Sequence, residues 1–303
     1  MLQIVDILLN VIGPLFLFIG VAVFLGHRFQ SDPRGFSVIL IYFFIPALVF
    51  RGISRSPLEG PELAGILGVV VGVMLVSVLL GLLIERWQGY DARTGGALVL
   101  SVLLMNAANY GVPANVFAYG PEAEQRAIIY YVGSMIFGNA AAVYFASRGH
   151  GNLRAALRNV ASVPITYAAV AGLIFNLANW TLPLPLERAI NIAADGAIPG
   201  MLALLGLTLA RTRWNARWKP VLLSMAVRLV IAPLVAVPLA LLLGLSGLSF
   251  QVAVTQSAMP TAVLTNALAS QFGSDAELTA AATLASTLAS VVTLTIIISL
   301  LRV

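Results

Sequence analysis

The sequence predicts an all-α membrane protein of ten transmembrane helices, built as two inverted five-helix repeats with broken helices at spans 4 and 9. Three observations predict it: ten apolar runs near membrane-spanning length, an odd number of runs in each internal repeat, and polar residues with proline in the middle of one run per repeat. Of 303 residues, 60% are hydrophobic and 10% charged, with a mean hydropathy of +0.97. A soluble domain carries roughly 25% charged residues. The excess apolar surface has to face lipid, which excludes a water-soluble domain.

Crossing ~30 Å of hydrocarbon takes about 20 apolar residues. Span 1, Ile4–Leu25, lacks a basic leader and a small-residue cleavage site, so it reads as a membrane helix and not a removable signal. Span 2, Phe36–Ile53, carries Ile45-Pro46-Ala47, and span 3 is Leu63–Ile84. Span 4, Gly95–Ala118, contains Asn106, Asn109, Gly111 and Pro113. Span 5, Ala127–Ala146, is rich in small residues (Gly133, Gly138, Ala140, Ala141, Ala142) that permit close helix contact, with Asn139 placed for an interhelical hydrogen bond. Span 6 is Val160–Leu177, span 7 is Leu186–Ala210 and span 8 is Pro220–Leu243. Span 9, Leu248–Phe272, contains Gln256, Pro260, Thr261, Thr265 and Asn266. Span 10, Leu278–Leu301, again has small residues. Helix is the expected state because backbone groups in lipid must be paired within the segment. Barrel strands would be ~10-residue alternating stretches.

Orientation follows from Lys and Arg. Loops after spans 1, 3, 5, 7 and 9 hold Arg28, Arg34, Arg86, Arg93, Arg148, Arg154, Arg158, Arg211, Arg213, Arg217 and Lys219; the opposite side holds Arg51, Arg55, Arg126, Arg188 and Arg302. The richer side is expected to be cytoplasmic. This predicts a multi-pass protein of the cell's inner (plasma) membrane, in contact with the lipid bilayer, with both termini outside and the basic loop SRGHGNLRAALRNV inside. The net charge of +5 therefore reflects topology and not nucleic-acid binding.

The repeat divides the chain into residues 1–150 and 151–303. Pro14 and Pro164 differ by 150 positions; Ile45-Pro46-Ala47 recurs as Ile198-Pro199-Gly200, 153 further on; YGPEAEQ from Tyr119 recurs as FGSDAEL from Phe272, again at 153. Five spans per repeat bring the second copy into the membrane from the opposite side, which inverts it. Such transporters bind substrate near mid-depth, where corresponding helices are interrupted. The candidate substrate residues are therefore Asn106, Asn109, Tyr110, Gly111, Pro113, Gln256, Pro260, Thr261, Thr265 and Asn266. Proline removes a backbone donor and frees neighbouring groups, and helix N-termini at such breaks favour an anion.

Two charged residues lie within spans. Asp195 stands about eight residues into span 7, roughly 12 Å from its end at 1.5 Å per residue. It is a candidate proton-coupling group, or a carboxylate hydrogen-bonded beside a break at Pro199. Arg228, in span 8, is a candidate partner for a carboxylate substrate, or snorkels to the inner interface. Glu122, Glu124, Asp275 and Glu277 are placed as helix N-terminal acids. The sequence has no cysteine, and its two histidines, His27 and His150, fall at loop positions. That removes thiol chemistry and the Ser–His and His-ligand sets of membrane hydrolases. The expectation is no enzyme, no cofactor and no metal site.

Asn106-Ala-Ala-Asn-Tyr-Gly111-Val-Pro113 resembles the helix 4 crossover of the auxin efflux carrier family, which includes plant PIN carriers and bacterial organic-acid permeases. Phe44-Ile-Pro46-Ala, the run from Asp195 to Gly206, and Ala258-Met-Pro260-Thr followed by Phe272-Gly273 also fit, in order, along the whole chain. A second proline that plant members carry near Asn266 is absent, as is their long cytoplasmic loop. The resemblance implies a scaffold of helices 1, 2, 6 and 7, a mobile transport unit of helices 3–5 and 8–10 in which the broken helices 4 and 9 cross, and a homodimer through the scaffold. It implies a secondary transporter of a small organic anion, a carboxylate, working by alternating access. The alternative is a sodium- or proton-coupled symporter or antiporter of related inverted-repeat fold; such proteins hold their cation with carboxylates, and here the two candidate breaks carry amides and hydroxyls.

Overall fold

The computed structural model describes residues 2–146, 163–212 and 217–302. The predicted inner loop from Ser147 to Val160, with His150, and Arg213 lie outside the described residues. All regular structure among the described residues is helical: α1 (Gln3–Phe29), α2 (Pro33–Ser54), α3 (Gly60–Gln88), α4 (Ala92–Leu103), α5 (Val112–Tyr119), α6 (Glu122–Ala146), α7 (Pro164–Leu177), α8 (Leu184–Arg211), α9 (Trp218–Leu242), α10 (Gly247–Ser257), α11 (Leu264–Gln271) and α12 (Ala276–Leu301). By length and composition α1, α2, α3, α8, α9 and α12 can each cross a membrane; α4 and α7 are shorter apolar helices. Large apolar side chains such as Leu17, Phe24, Leu79 and Leu242 are exposed on the bundle surface, as lipid contact requires.

Proline placement explains the irregularities. Four single π-turns (Leu8–Ile12, Leu40–Phe44, Ala107–Gly111 and Val227–Ile231) are each followed by a helical stretch with proline in its first two positions: Pro14, Pro46, Pro113 and Pro233. A proline ring clashes with the carbonyl four residues earlier. In each case that residue (Asn10, Tyr42, Asn109, Leu229) lies inside the π-turn, whose wider loop accommodates the ring. Pro199 differs: α8 runs through it as continuous helix, and the break expected there is absent.

Helix starts are set by local chemistry. Asp32, Asp91 and Asp275 cap α2, α4 and α12, accepting from the backbone N–H of Arg34 (3.1 Å), Thr94 (2.8 Å) and Leu278 (3.1 Å). Glu122 and Glu124 occupy the first turn of α6 and Glu277 that of α12, on the favourable side of the dipole. The glycines of the repeated strings, Gly120 and Gly273, both have positive φ, at 86° and 75°. Only glycine adopts such backbone cheaply, so both short turns are fixed in the sequence.

The core divides in two. A larger cluster includes side chains of α1, α3 to α6 and α8 to α12; a second joins α2, α6, α7 and α8 through residues such as Leu48, Val49, Ile128, Ile165 and Ala197. Gly133 and Gly138 of α6 allow close contact, since a Cβ at either would come within 2.6 Å of Leu67 or Met74 on α3; the side chains of Asn139 and Ala140 lie outside the described residues.

Candidate functional site

The chain is interrupted twice, and the two interruptions meet. α4 ends at Leu103, and Leu104 is extended before the π-turn at Ala107 leads into α5. α10 ends at Ser257, and Met259-Pro260-Thr261 is non-helical before α11. Pro260 has no N–H to continue α10 and biases Met259 away from helix. Met105 and Thr261 form an antiparallel bridge. The N–H of Asn106 donates to the carbonyl of Pro260 (2.8 Å), and that of Ala262 donates to the carbonyl of Leu104 (2.8 Å). Each break thus supplies backbone partners that the other lost, as an apolar interior demands.

Side chains complete the pairing. Ser286 on α12 accepts from the N–H of Thr261 (3.1 Å), while the Thr261 hydroxyl donates to the carbonyl of Ser101 (2.9 Å). Gln256 donates to the carbonyls of Ala107 (3.3 Å) and Ala127 (3.2 Å). Its Oε1 rests where a Cβ on Gly111 would stand. Gly111 therefore admits the Gln256 amide, whose Oε1 has no hydrogen-bond partner among the described residues. Arg228, in the π-turn of α9 and fully buried, donates to the carbonyls of Ser257 (2.9 Å), Met259 (2.9 and 3.3 Å) and Val102 (3.4 Å).

This pairing uses the backbone of Asn106 and leaves its side chain free. Asn106 is 4% exposed and its Nδ2 has no partner within the protein. It lines a cavity of about 170 Å³ together with Ile41, Ile45, Met74, Leu104, Met105, Ala108, Asn109, Tyr131, Ser134, Met135, Leu204 and residues 262–264. Drug-sized ligands occupy ~300–1,000 Å³, so this space suits a molecule of a few heavy atoms. The walls are mostly apolar, with amide and hydroxyl groups as the polar points, and no carboxylate among them. The start of α11 and the turn leading to α5 both reach the cavity, and first-turn N–H groups lack partners within their own helix. α11 reaches the cavity through Leu264, and the turn before α5 through Ala108 and Asn109; a helix dipole has its positive end at the N-terminus.

The remaining predicted residues serve other places. Tyr110 is fully buried away from the cavity wall, its hydroxyl accepting from Ser290 (3.2 Å) and its ring edge-on to Phe16. Pro113 opens α5, and the Thr265 hydroxyl turns back to the carbonyl of Ala262 (2.6 Å). Asn266 lines a separate groove of about 450 Å³ with Asp32, Arg34, Thr208, Arg211 and Glu277. Asp195 is 72% exposed along its side chain and pairs with Arg51 (2.5 Å), which also forks onto Glu124 (3.1 and 3.3 Å). Arg55 pairs with Glu187, Arg126 with Glu62 and Arg302 with Asp6. Four of the five arginines on the predicted outer side are thereby neutralised. Sequence reasoning missed Ser286, Tyr131, Ser134 and Met135, which lie on otherwise continuous helices and carry no local signal. The Ile45-Pro46 motif was a signal for Ile45.

A bundle of apolar helices with a small, mostly apolar cavity where two interrupted stretches join is the arrangement expected of a membrane transport protein. Residues 12–298 match the family described as Membrane transport protein, and the chain belongs to it; this is the auxin efflux carrier family that the motifs resemble. The chain is 27% identical over 257 residues, 84% of each protein, to an uncharacterized transporter from Methanothermobacter thermautotrophicus. It is 24% identical over 251 residues to an uncharacterized transporter from Methanocaldococcus jannaschii, covering 78% of this chain and 79% of that one. It is also 27% identical over 250 residues (78% and 77%) to a proposed malonate transporter from Rhizobium meliloti.

Proposed function

We propose that the protein is a secondary transporter of small organic carboxylates, working by alternating access and not as an enzyme. Its architecture in this reading is ten spans in two inverted repeats, with α4–α5 and α10–α11 as the crossed, broken spans 4 and 9. Helices α1, α2, α7 and α8 form the scaffold, α3–α6 and α9–α12 the transport unit, and two copies pair through the scaffold in the inner membrane with termini outside. One observation carries the reading: the unpartnered Asn106 amide faces a small cavity at the junction of the two breaks. Amide N–H and helix N-termini attract an anion; a cation would be met by their positive ends. The name of the Rhizobium relative supports a carboxylate cargo.

The test is uptake into proteoliposomes loaded with purified protein, using mono- and dicarboxylates with and without sodium and across pH. Saturable uptake with counterflow, independent of sodium, is expected. Sodium-dependent uptake identifies the coupled-symporter alternative, and carboxylate binding without flux identifies a sensor.

A further inference from the structure

The geometry points to Arg228 as the residue that sets substrate valence, tuning the site to a monoanion. This inference rests on the carboxylate-transporter reading and deepens it. Four helix ends meet at the junction. α4 and α10 arrive with their C-termini, and α5 and α11 leave with their N-termini. Each end is equivalent to roughly half a charge, negative at a C-terminus and positive at an N-terminus. Without any side chain the four ends cancel.

Arg228 changes that balance. Among the described residues it is the only charged residue that is buried, and no carboxylate there pairs with it. Its guanidinium lies on the C-terminal ends, bonded to Val102 at the end of α4 and to Ser257 and Met259 at the end of α10. The arginine therefore neutralises the two negative ends and leaves the two positive ends in excess. The junction as a whole carries one net positive charge, and Asn106 of the same junction lines the cavity. Val102 lies two residues before the cavity residue Leu104, and Met259 three before Ala262. A singly charged anion returns this buried site to neutrality. A neutral ligand leaves it positive and a dianion leaves it negative, and an uncompensated charge in a low-dielectric interior is strongly disfavoured. Arg228 does not touch the cavity; it positions the break and sets its charge.

The test uses three probes that share one carbon skeleton and differ in charge at pH 7.5: malonamide (neutral), malonamate (monoanion) and malonate (dianion). Binding to purified full-length protein is read by ligand-induced thermal shift. In the wild type, malonamate is expected to bind at least about tenfold tighter than either neighbour, the effect of ~1.4 kcal/mol. Arg228→Gln moves the preference to malonamide. Arg228→Lys keeps the charge but loses the planar fork, so the order of the probes survives at a lower melting temperature. Should Arg228→Gln not fold, the lysine variant and the wild-type order carry the test. The inference is overturned by tightest binding of the dianion in the wild type, by an unchanged order in folded Arg228→Gln, or by loss of the order in Arg228→Lys. Absence of uptake or binding of every carboxylate in the wild type defeats the transporter reading instead.

Discussion

Asn106→Ala separates the binding role of this residue from its structural one. The backbone of Asn106 holds the junction, through its N–H on Pro260 (2.8 Å) and its carbonyl accepting from Gly111 (2.9 Å), and alanine keeps both bonds. The side chain caps nothing, and its Nδ2 has no partner to lose. Stability should therefore change by less than about 1 kcal/mol, as for substitutions that leave no orphaned group. A hydrogen bond to a charged ligand is worth about 1.5–3 kcal/mol. At 1.4 kcal/mol per tenfold, its loss weakens carboxylate binding by about 10- to 150-fold. The assay is concentration-dependent uptake of a labelled carboxylate in proteoliposomes, with thermal unfolding of the same preparation. Asn106→Asp places a carboxylate against the cargo and should abolish uptake. Unchanged affinity in folded Asn106→Ala would refute the assignment, and so would unfolding equal in extent to the loss of uptake.

Further outcomes follow from the geometry. Gly111→Ala drives a Cβ into the Gln256 amide and should destabilise by roughly 1–3 kcal/mol through overpacking, read as a lowered melting temperature. Asp195→Asn should leave the pH profile of uptake unchanged, since the carboxylate is exposed and already paired with Arg51; a flattened profile makes it the coupling group. Glu124→Gln breaks the ion pair between α6 and α2, whose side chains are 17% and 15% exposed. It should increase labelling of Met135→Cys by an impermeant thiol reagent applied outside, in a chain with no native cysteine. The Thr94 hydroxyl and backbone N–H hold the Asp91 carboxyl below its ordinary value. Its contribution is present above the unfolded-state value of about 3.9 and is lost as pH falls through the lower folded value. Asp91→Asn should therefore reduce the acid-side slope of a thermal-stability profile.

The all-helical membrane class was legible because lipid imposes one rule on every backbone group, and long apolar runs with flanking arginines record it. The capping aspartates, the turn glycines at 120 and 273, and the two interrupted stretches were legible for the same reason: each acts on its own neighbours in the chain. Tertiary structure alone decided what the freed groups meet. Residues 105 and 261 lie far apart in sequence, so the sequence does not show that the breaks pair with each other and thereby release the Asn106 side chain. Nor does it show that Arg228 rests on three carbonyls from both broken stretches, or that Asp195 meets Arg51 and Tyr110 meets Ser290. An isolated polar residue in an apolar run has the same sequence signature whether it braces the fold or binds a ligand. Only the positions of its partners, set by packing of distant helices, distinguish the two.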